Sequence, residues 1–518
     1  MSSNDICMLI TIMVYLIGMV TIGILCSKKT NNVGDFYLGG RKLGPIVTAM
    51  SAEASDMSSW LLMGLPGVAL LCGTAEASWT AIGLAVGTYI NWLIVAKRLR
   101  TYTHHCKAIT IPDFFSSRYH DNRHMLMGIA AVIILIFFVP YTASGFAACG
   151  KLFNSLFNID YHLAMILSAV VIILYTSIGG FLAASTTDLI QSIVMTIALI
   201  MIVLFGVSTA GGLDVVIDNA KALPGDLSLT LSHDMETGSS SPYSFLTIVS
   251  TLAWGLGYFG MPHILLRFMA IEDSSKIKTS RRIASVWVVI SMTVAIFIGL
   301  VGNAIAANGT LEPITTSDQS ERIIIKLSQL LSQNGILAAI FAGLVLAGIL
   351  ASTMSTADSQ LLSASSSMSE NLLKGVLKLK LKDRTSMIAA RAVLIVIAIL
   401  AVILAWDQES SVFAIVSFAW AGFGATFGPV VLAALFWKRS NKWGALAGMV
   451  VGGIMVFVWK YVIAPNCASW GLGFLNVYEL LPAFICAVIA IIAVSLLTAK
   501  PEKAVTDEFE EVNALCKA

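Results

Sequence analysis

Apolar runs of roughly twenty residues, parted by short polar stretches, recur along the whole chain. They predict thirteen membrane-crossing helices, at about 5–27, 46–72, 75–97, 123–150, 161–179, 188–212, 243–266, 283–307, 335–371, 387–405, 411–436, 443–464 and 474–498. A hydrocarbon layer of about 30 Å needs about 20 residues of helix, which nearly every run supplies. The ninth run is too long for one crossing, so its end is expected to project or bend. The pattern predicts an all-α membrane protein.

The polar interruptions inside these runs carry the chemistry. In span two, Ser51-Ala52-Glu53-Ala54-Ser55-Asp56-Met57-Ser58-Ser59 lies between apolar flanks, with Gly64, Pro66 and Gly67 following. A carboxylate at the bilayer centre costs at least ~2.5–3.5 kcal/mol on insertion scales. Broken helices persist at that depth only where they are buried in protein or line a cavity, and in transporters they build ion and substrate sites. Unwinding frees backbone carbonyls, which are hard oxygen donors of the kind calcium and magnesium prefer; the same reasoning extends to sodium. Ala54 and Met57 can offer carbonyls, and Ser55, Asp56 and Ser58 can add side-chain oxygens. The half-helix that begins near Trp60 turns its positive end toward the gap, where a carboxylate could rest. The alternative is that these serines and Asp56 cap one another.

Three further stretches stand out. In span nine, Ser352, Ser355, Thr356 and Ser359 recur at helical spacing and share one face, with Asp358 a turn from Ser355. Such hydroxyls can ligate a cation or join neighbouring helices; Asp358 could join them or meet cytoplasmic water. Thr186-Thr187-Asp188 opens span six, where the acid could bind a second ion, steer ions toward the cytoplasm, or cap the helix. In span seven, Trp254-Gly255-Leu256-Gly257-Tyr258-Phe259-Gly260-Met261-Pro262-His263 combines glycines for close approach with a proline that kinks the helix. Trp254 and Tyr258, four residues apart, can form one wall of an apolar pocket or simply pack. Asn303 and Lys460 are isolated polar residues in spans with no assigned role.

Composition agrees with the patterning. The chain has 518 residues, is 57% hydrophobic and 12% charged, and has a mean hydropathy of +0.85. Soluble domains carry about 25% charged residues. A net charge of +2 gives no basis for nucleic-acid binding. The eight cysteines form no CxxC pair, so neither a disulfide framework nor a zinc site is expected. No basic residue precedes the first run, whereas Lys28 and Lys29 follow it, so it reads as a retained span with the N-terminus outside. With that orientation all 32 lysines and arginines fall on the cytoplasmic side except Lys151, Lys221, Arg322, Lys326 and Lys460. The loops at about 213–242 and 308–334 are then external, and the mixed-charge tail 500–518 is cytoplasmic, either a short helix or disordered. No GxSxG, HExxH or Walker pattern occurs, so neither an enzyme nor an ATP-driven pump is indicated and no cofactor is expected. Uphill transport would draw on an ion gradient.

Several stretches, in order, resemble the sodium/solute symporter family. They are Asp35-Phe36-Tyr37-Leu38-Gly39-Gly40-Arg41; Ser55-Asp56-Met57-Ser58 with Trp60-Leu61-Leu62-Met63-Gly64-Leu65-Pro66-Gly67; and Ile178-Gly179-Gly180-Phe181. Trp254-Gly255-Leu256-Gly257-Tyr258-Phe259-Gly260, Met354-Ser355-Thr356 and Trp420-Ala421-Gly422-Phe423-Gly424 complete the set. The likeness covers nearly the whole chain, and the span-two and span-seven runs mark the proline branch of that family. It implies a five-plus-five inverted-repeat transporter core with broken helices, its first repeat at 46–212 and its second at 243–436. Around the core it leaves a first helix and loop at 1–45, an external loop at 213–242, two added helices at 437–499 and a tail at 500–518.

The resemblance further implies a sodium site between spans two and nine, with the carbonyls of Ala54, Met57 and Ser352 and the hydroxyls of Ser355 and Thr356 as ligands. Asp56 matches the family's essential acid near that site, with Ser58 beside it. Asp188 matches an acid linked to ion release or to a second sodium. Tyr141, Trp254, Tyr258 and Pro262 match positions that face proline. The chain departs from the family pattern at Glu53 and Ser59, where glycines are usual, at Met261, where glutamine is usual, and at Asp358, often a small polar residue. The expected activity is import of L-proline with sodium across the plasma membrane by alternating access. The alternatives are a symporter of the same fold for another small solute, and a sensor or channel without coupled transport.

Overall fold

The computed structural model describes the chain except residues 1, 29, 31, 380, 381, 410 and 518 and the side chains of Asp383 and Arg384, so the basic positions Lys29, Lys380 and Arg384 lie outside the described residues. Among the described residues, ten helices are long and apolar enough to cross a membrane. Two bent helix pairs add spans two and seven: Pro45–Asp56 with Trp60–Cys72, bent by 61°, and Phe245–Phe259 with Pro262–Ala270, bent by 45°. The longest helix, Tyr161–Ala210, is two helices meeting at Gly180, whose φ of 63° and ψ of −162° leave the helical region. A Cβ at Gly180 would lie 2.8 Å from the Phe36 ring and 3.0 Å from its carbonyl, so conformation and contact both require glycine. The thirteen expected spans thus each have a counterpart. The long ninth run is a single helix, Ile336–Ser366, that passes into a π-helical stretch at Ser367–Val376.

The predicted loops hold more structure than the sequence pattern suggests. Residues 213–242 contain the helix Leu213–Ala222 and an antiparallel hairpin, Leu231–Asp234 with Ser239–Pro242. Residues 308–334 carry the helices Ser317–Glu321 and Ile323–Ser332. The tail forms the helix Lys503–Lys517, which buries Val505, Phe509 and Val512. Phe509 lies under the buried Arg118 guanidinium, 4.8 Å from ring centre to Cζ, and Asn513 accepts from Arg98 at 2.7 Å.

The predicted cytoplasmic loops converge on one side. Arg41 donates to the carbonyls of Thr103, Ala108 and Met269, Arg100 donates to Ile271, and Tyr119 meets Ser440 at 2.9 Å. The opposite side gathers the acidic loops: the Thr74 amide donates to the Asp226 carbonyl, and the buried Lys151 is paired with Asp318 at 2.9 Å and Glu321 at 3.3 Å.

Spans one, five and ten expose apolar side chains such as Ile10, Val14, Leu174, Ile399 and Leu400, as lipid contact demands. In lipid, helix pairing rests on close packing and hydrogen bonds, since the tails are as apolar as leucine. Span three meets the first half of span seven on bare backbone: no Cβ fits at Gly87 or Gly255, whose main chains touch. Span nine occupies the centre, packed on spans one, four and six and buried without interruption from Val345 to Ser366.

Candidate functional site

The break in span two sits at Met57, where ψ rises to 69° and the helix stops. The Met57 amide still donates to the Glu53 carbonyl at 2.8 Å; the Ser58 amide turns back to Asp56 at 2.7 Å, and the chain re-enters a π-helical turn at Trp60. Span nine lies directly against the break. Ser355 Oγ donates to the Ala54 carbonyl at 2.7 Å and stands 3.1 Å from the Ser352 carbonyl, which Thr356 Oγ1 also reaches at 3.2 Å. The structure therefore brings Ala54, Ser352, Ser355 and Thr356 into one hydrogen-bonded group, with Met57 at the adjacent helix end. All are buried to within 3%. Neutral carbonyl and hydroxyl oxygens make up this group, a donor set that suits a small hard cation.

Asp56 faces span seven instead. Its Oδ2 accepts from the Tyr258 hydroxyl at 2.5 Å, while Oδ1 has no protein partner. The Ser58 hydroxyl accepts weakly from the Trp60 amide at 3.4 Å. The Trp60 indole donates to the Asp56 carbonyl at 3.1 Å, and its ring lies 6.3 Å from that of Trp254. Trp254 is further enclosed by Tyr478, stacked at 5.1 Å, by Phe413 at 5.4 Å and by Trp420 at 6.3 Å. Tyr258 meets the Trp420 ring edge-on at 5.1 Å. Tyr141 is buried with an unpaired hydroxyl, its ring 6.4 Å from that of His263. Pro262 opens the second half of span seven and is buried. Trp420, Phe413 and Tyr478 complete the aromatic wall although their spacing in sequence gave no signal; the run Trp420-Ala421-Gly422-Phe423-Gly424, small residues around one tryptophan, was the available cue.

Glu53 is buried beside the break and accepts from Thr88 Oγ1 and Trp92 Nε1, both at 2.9 Å. Span three thus supplies donors for an acid that the break itself does not satisfy.

Asp188 is no helix cap: it lies inside the helix, eight residues beyond the Gly180 turn, fully buried. Its Oδ2 accepts from Ser51 Oγ at 2.6 Å and from Arg267 at 3.2 Å. Arg267, which charge distribution assigned to a cytoplasmic loop, is 1% exposed and sits among spans two, six, seven and nine. Asp358 is likewise enclosed rather than met by water, accepting from Tyr175 at 2.6 Å and Ser359 at 3.0 Å. Lys460 pairs with Glu479 at 3.3 Å, and Asn303 donates to the Leu70 carbonyl at 3.0 Å, so both have structural partners.

Comparison with known proteins gives consistent matches. The sodium:solute symporter family profile matches residues 36–452. The sodium/proline symporter of Haemophilus influenzae is 43% identical over 513 residues, covering 98% of each chain. That of Escherichia coli is 42% identical over 508 residues, covering 98% of this chain and 96% of its own. A high-affinity proline transporter of Bacillus subtilis is 42% identical over 495 residues, covering 95% of this chain and 98% of its own. Among solved structures, a substrate-bound, outward-open sodium-coupled sialic acid symporter superposes with a TM-score of 0.76 at 18% identity, covering 96% of this chain and 99% of that one. A nucleobase-cation-symport-1 family transporter in a closed conformation gives 0.52 at 13% identity, covering 93% and 98%. At such identities these two structures speak to the fold alone.

Proposed function

The chain belongs to the sodium:solute symporter family, and on that premise we propose that it imports L-proline together with sodium across the plasma membrane. The full-length relatives at 41–43% identity are sodium/proline symporters, and the protein is a transporter rather than an enzyme. The observation that carries the reading is the Ser355 hydroxyl on the Ala54 carbonyl at 2.7 Å, which joins the hydroxyl face of span nine to the broken span two.

In this reading sodium is held by the carbonyls of Ala54, Met57 and Ser352 and the hydroxyls of Ser355 and Thr356, with Asp56 and Ser58 supplying negative charge and polarity beside it. Sodium enters first from outside and replaces the present Ser355-to-Ala54 contact, fixing spans two and nine. Proline follows, its carboxylate toward the half-helix that starts near Trp60 and its ring against Trp254 and Tyr258, with Tyr141 and Pro262 bounding the pocket. The burial of Trp60, Tyr141, Trp254 and Tyr258 to within 5% supports reading this arrangement as an occluded stage of alternating access. The two five-span blocks, 46–212 and 243–436, then rock against each other, and the cation leaves past Asp188 and Asp358 toward the basic, cytoplasmic side. In this orientation the N-terminus is outside and the tail helix is cytoplasmic.

A zwitterion moving with one cation carries one net charge. Voltage then contributes about 2.3 kcal/mol per 100 mV, close to about fiftyfold accumulation at about 1.4 kcal/mol per tenfold. The test is uptake of labelled proline into vesicles with and without an inward sodium gradient, in competition with other small solutes. Concentrative, sodium-dependent, proline-selective uptake is expected; uptake that does not follow the gradient would remove the coupled reading, and a better competitor would replace proline as the cargo.

A further inference from the structure

Residues 437–499 lie outside the proposed repeat core, yet one of their side chains reaches the proposed solute pocket. The Tyr478 ring stacks on Trp254 at 5.1 Å and 21° from parallel, whereas Trp60, Phe413 and Trp420 meet that indole at 32°, 39° and 32°. Tyr478 is itself tied down on two sides. Its amide donates to Ser250 Oγ on the first half of span seven, and its hydroxyl donates to the Ser417 carbonyl of span eleven, both at 2.7 Å. Span thirteen starts two residues later at Leu480, so close to span eleven that a Cβ at Gly424 would lie 2.8 Å from Leu480 Cδ1. Residues 468–474, just before it in the chain, are exposed, whereas Trp254 is 5% exposed. Tyr478 therefore stands between the loop that joins spans twelve and thirteen and the enclosed indole.

We propose that Tyr478 is a positioning residue: it backs the Trp254 indole, holds it against the bound ring, and thereby limits the ring size the carrier accepts. The inference rests on the proline reading above and names a determinant of its selectivity. Trp254 lies in the 3₁₀ stretch Ala253–Phe259, and its carbonyl is held by Trp420 Nε1 at 2.7 Å. With the main chain fixed there, the freedom left to the indole is rotation about its side-chain bonds. Near-parallel aromatic rings attract beyond their buried area, by about threefold to tenfold in an equilibrium, so the stack selects one orientation of the indole. Tyr258, the other ring against which proline is placed, is held by its bond to Asp56 at 2.5 Å. A wall that cannot retreat rejects one added methylene by about 10–200-fold; a wall that can swing back does not. The Tyr478 hydroxyl is engaged by the Ser417 carbonyl, so Tyr478 acts on the solute through its hold on Trp254.

The experiment measures sodium-driven uptake of labelled proline into liposomes holding the full-length chain. The competitor is piperidine-2-carboxylic acid, the six-membered-ring homologue of proline. Tyr478→Ala is expected to raise the half-saturating proline concentration about threefold to tenfold and to leave that for sodium nearly fixed. Its preference for proline over the larger ring should fall by a similar factor. Tyr478→Phe keeps the stacked ring and should show a smaller rise. A role exercised through Trp254 further requires that Tyr478→Ala add less than about twofold in a Trp254→Ala chain, because residues in contact are not additive. A larger added rise in that chain, an equal rise for sodium and proline, an unchanged ring preference, or the same loss in Tyr478→Phe as in Tyr478→Ala would overturn the proposal. If Tyr478→Ala does not fold, Tyr478→Leu, which fills the space without an aromatic face, decides by the same readouts. Absence of saturable, sodium-driven proline uptake in the wild-type chain is a separate outcome, which overturns the proline reading and this inference with it.

Discussion

Spans two and seven are both broken near the middle, by different means. In span seven the break is local. A 3₁₀ stretch, Ala253–Phe259, runs into Gly260, Met261 is extended at φ −76° and ψ 107°, and Pro262 starts the next helix. Proline lacks an N–H and drives the residue before it out of the helical region, so this bend is written in three consecutive residues, Gly260, Met261 and Pro262. Carbonyls freed there are taken by fixed donors, with Trp420 Nε1 on Trp254 at 2.7 Å and Asn91 Nδ2 on Tyr258 at 3.0 Å. In span two neither glycine nor proline lies at the break. Residues 53–58 would continue a helix by themselves, and the opening at Met57 is held from a distance, by Ser355 on Ala54 and Tyr258 on Asp56. One break is a rigid frame that shapes an aromatic wall. The other depends on its partners, and so responds to what those partners bind.

The sharpest way to break this contrast is Asp56→Asn. Breaking a buried charge interaction by removing one partner costs about 3–5 kcal/mol, so the sodium requirement for proline uptake should rise at least about 100-fold. An unchanged sodium requirement would mean that span two is not the responsive break. Trp254→Ala acts on the other side: loss of a buried aromatic anchor costs about 2 kcal/mol, which should raise the half-saturating proline concentration about 30-fold and leave that for sodium nearly fixed. Equal effects of both changes on sodium and proline would argue against separate sites. Tyr258→Phe keeps the ring and removes the bond that ties the two breaks together. A hydrogen bond to a charged group contributes about 1.5–3 kcal/mol, so sodium and proline requirements should rise together, by about tenfold or more, in paired uptake titrations.

What could be read from the sequence follows the same division. The bend of span seven was legible because Gly260 and Pro262 impose it locally. The polar run of span two and the hydroxyl face of span nine were legible as chemistry, and helical spacing put Ser352, Ser355 and Thr356 on one side. Their meeting was expected only through the family resemblance, since Ser355 and Ala54 lie 301 residues apart and no local pattern joins them. Arg267 was misplaced because counting basic residues by side treats an arginine near a span end as a loop residue, while only the fold reveals Asp188, Ser51 and Ser359 around it. Glu53 could not be interpreted alone, because Thr88 and Trp92 reach it from another helix. Asp188 looked like a cap because the turn at Gly180 comes eight residues before it, and a long apolar run conceals such a turn.

The smallest effect is expected from Pro262→Ala, and it tests the contrast from its quiet side. Pro262 occupies the first position of a helix, where an amide has no intrahelical acceptor in any case. Alanine there restores a donor that the helix does not need and gives up the fixed φ, worth about 0.4–1 kcal/mol through the unfolded chain, together with the steric restriction on Met261. Gly260, the extended Met261 and the bonds from Trp420 and Asn91 remain, so the 45° bend should persist. Thermal denaturation in detergent should show a slightly lower midpoint, and both half-saturating concentrations should move by less than about threefold, as under 1 kcal/mol allows. A sodium requirement that rises about tenfold or more would mean that the bend of span seven also yields to the ion, and the distinction between a rigid break and a responsive one would fail.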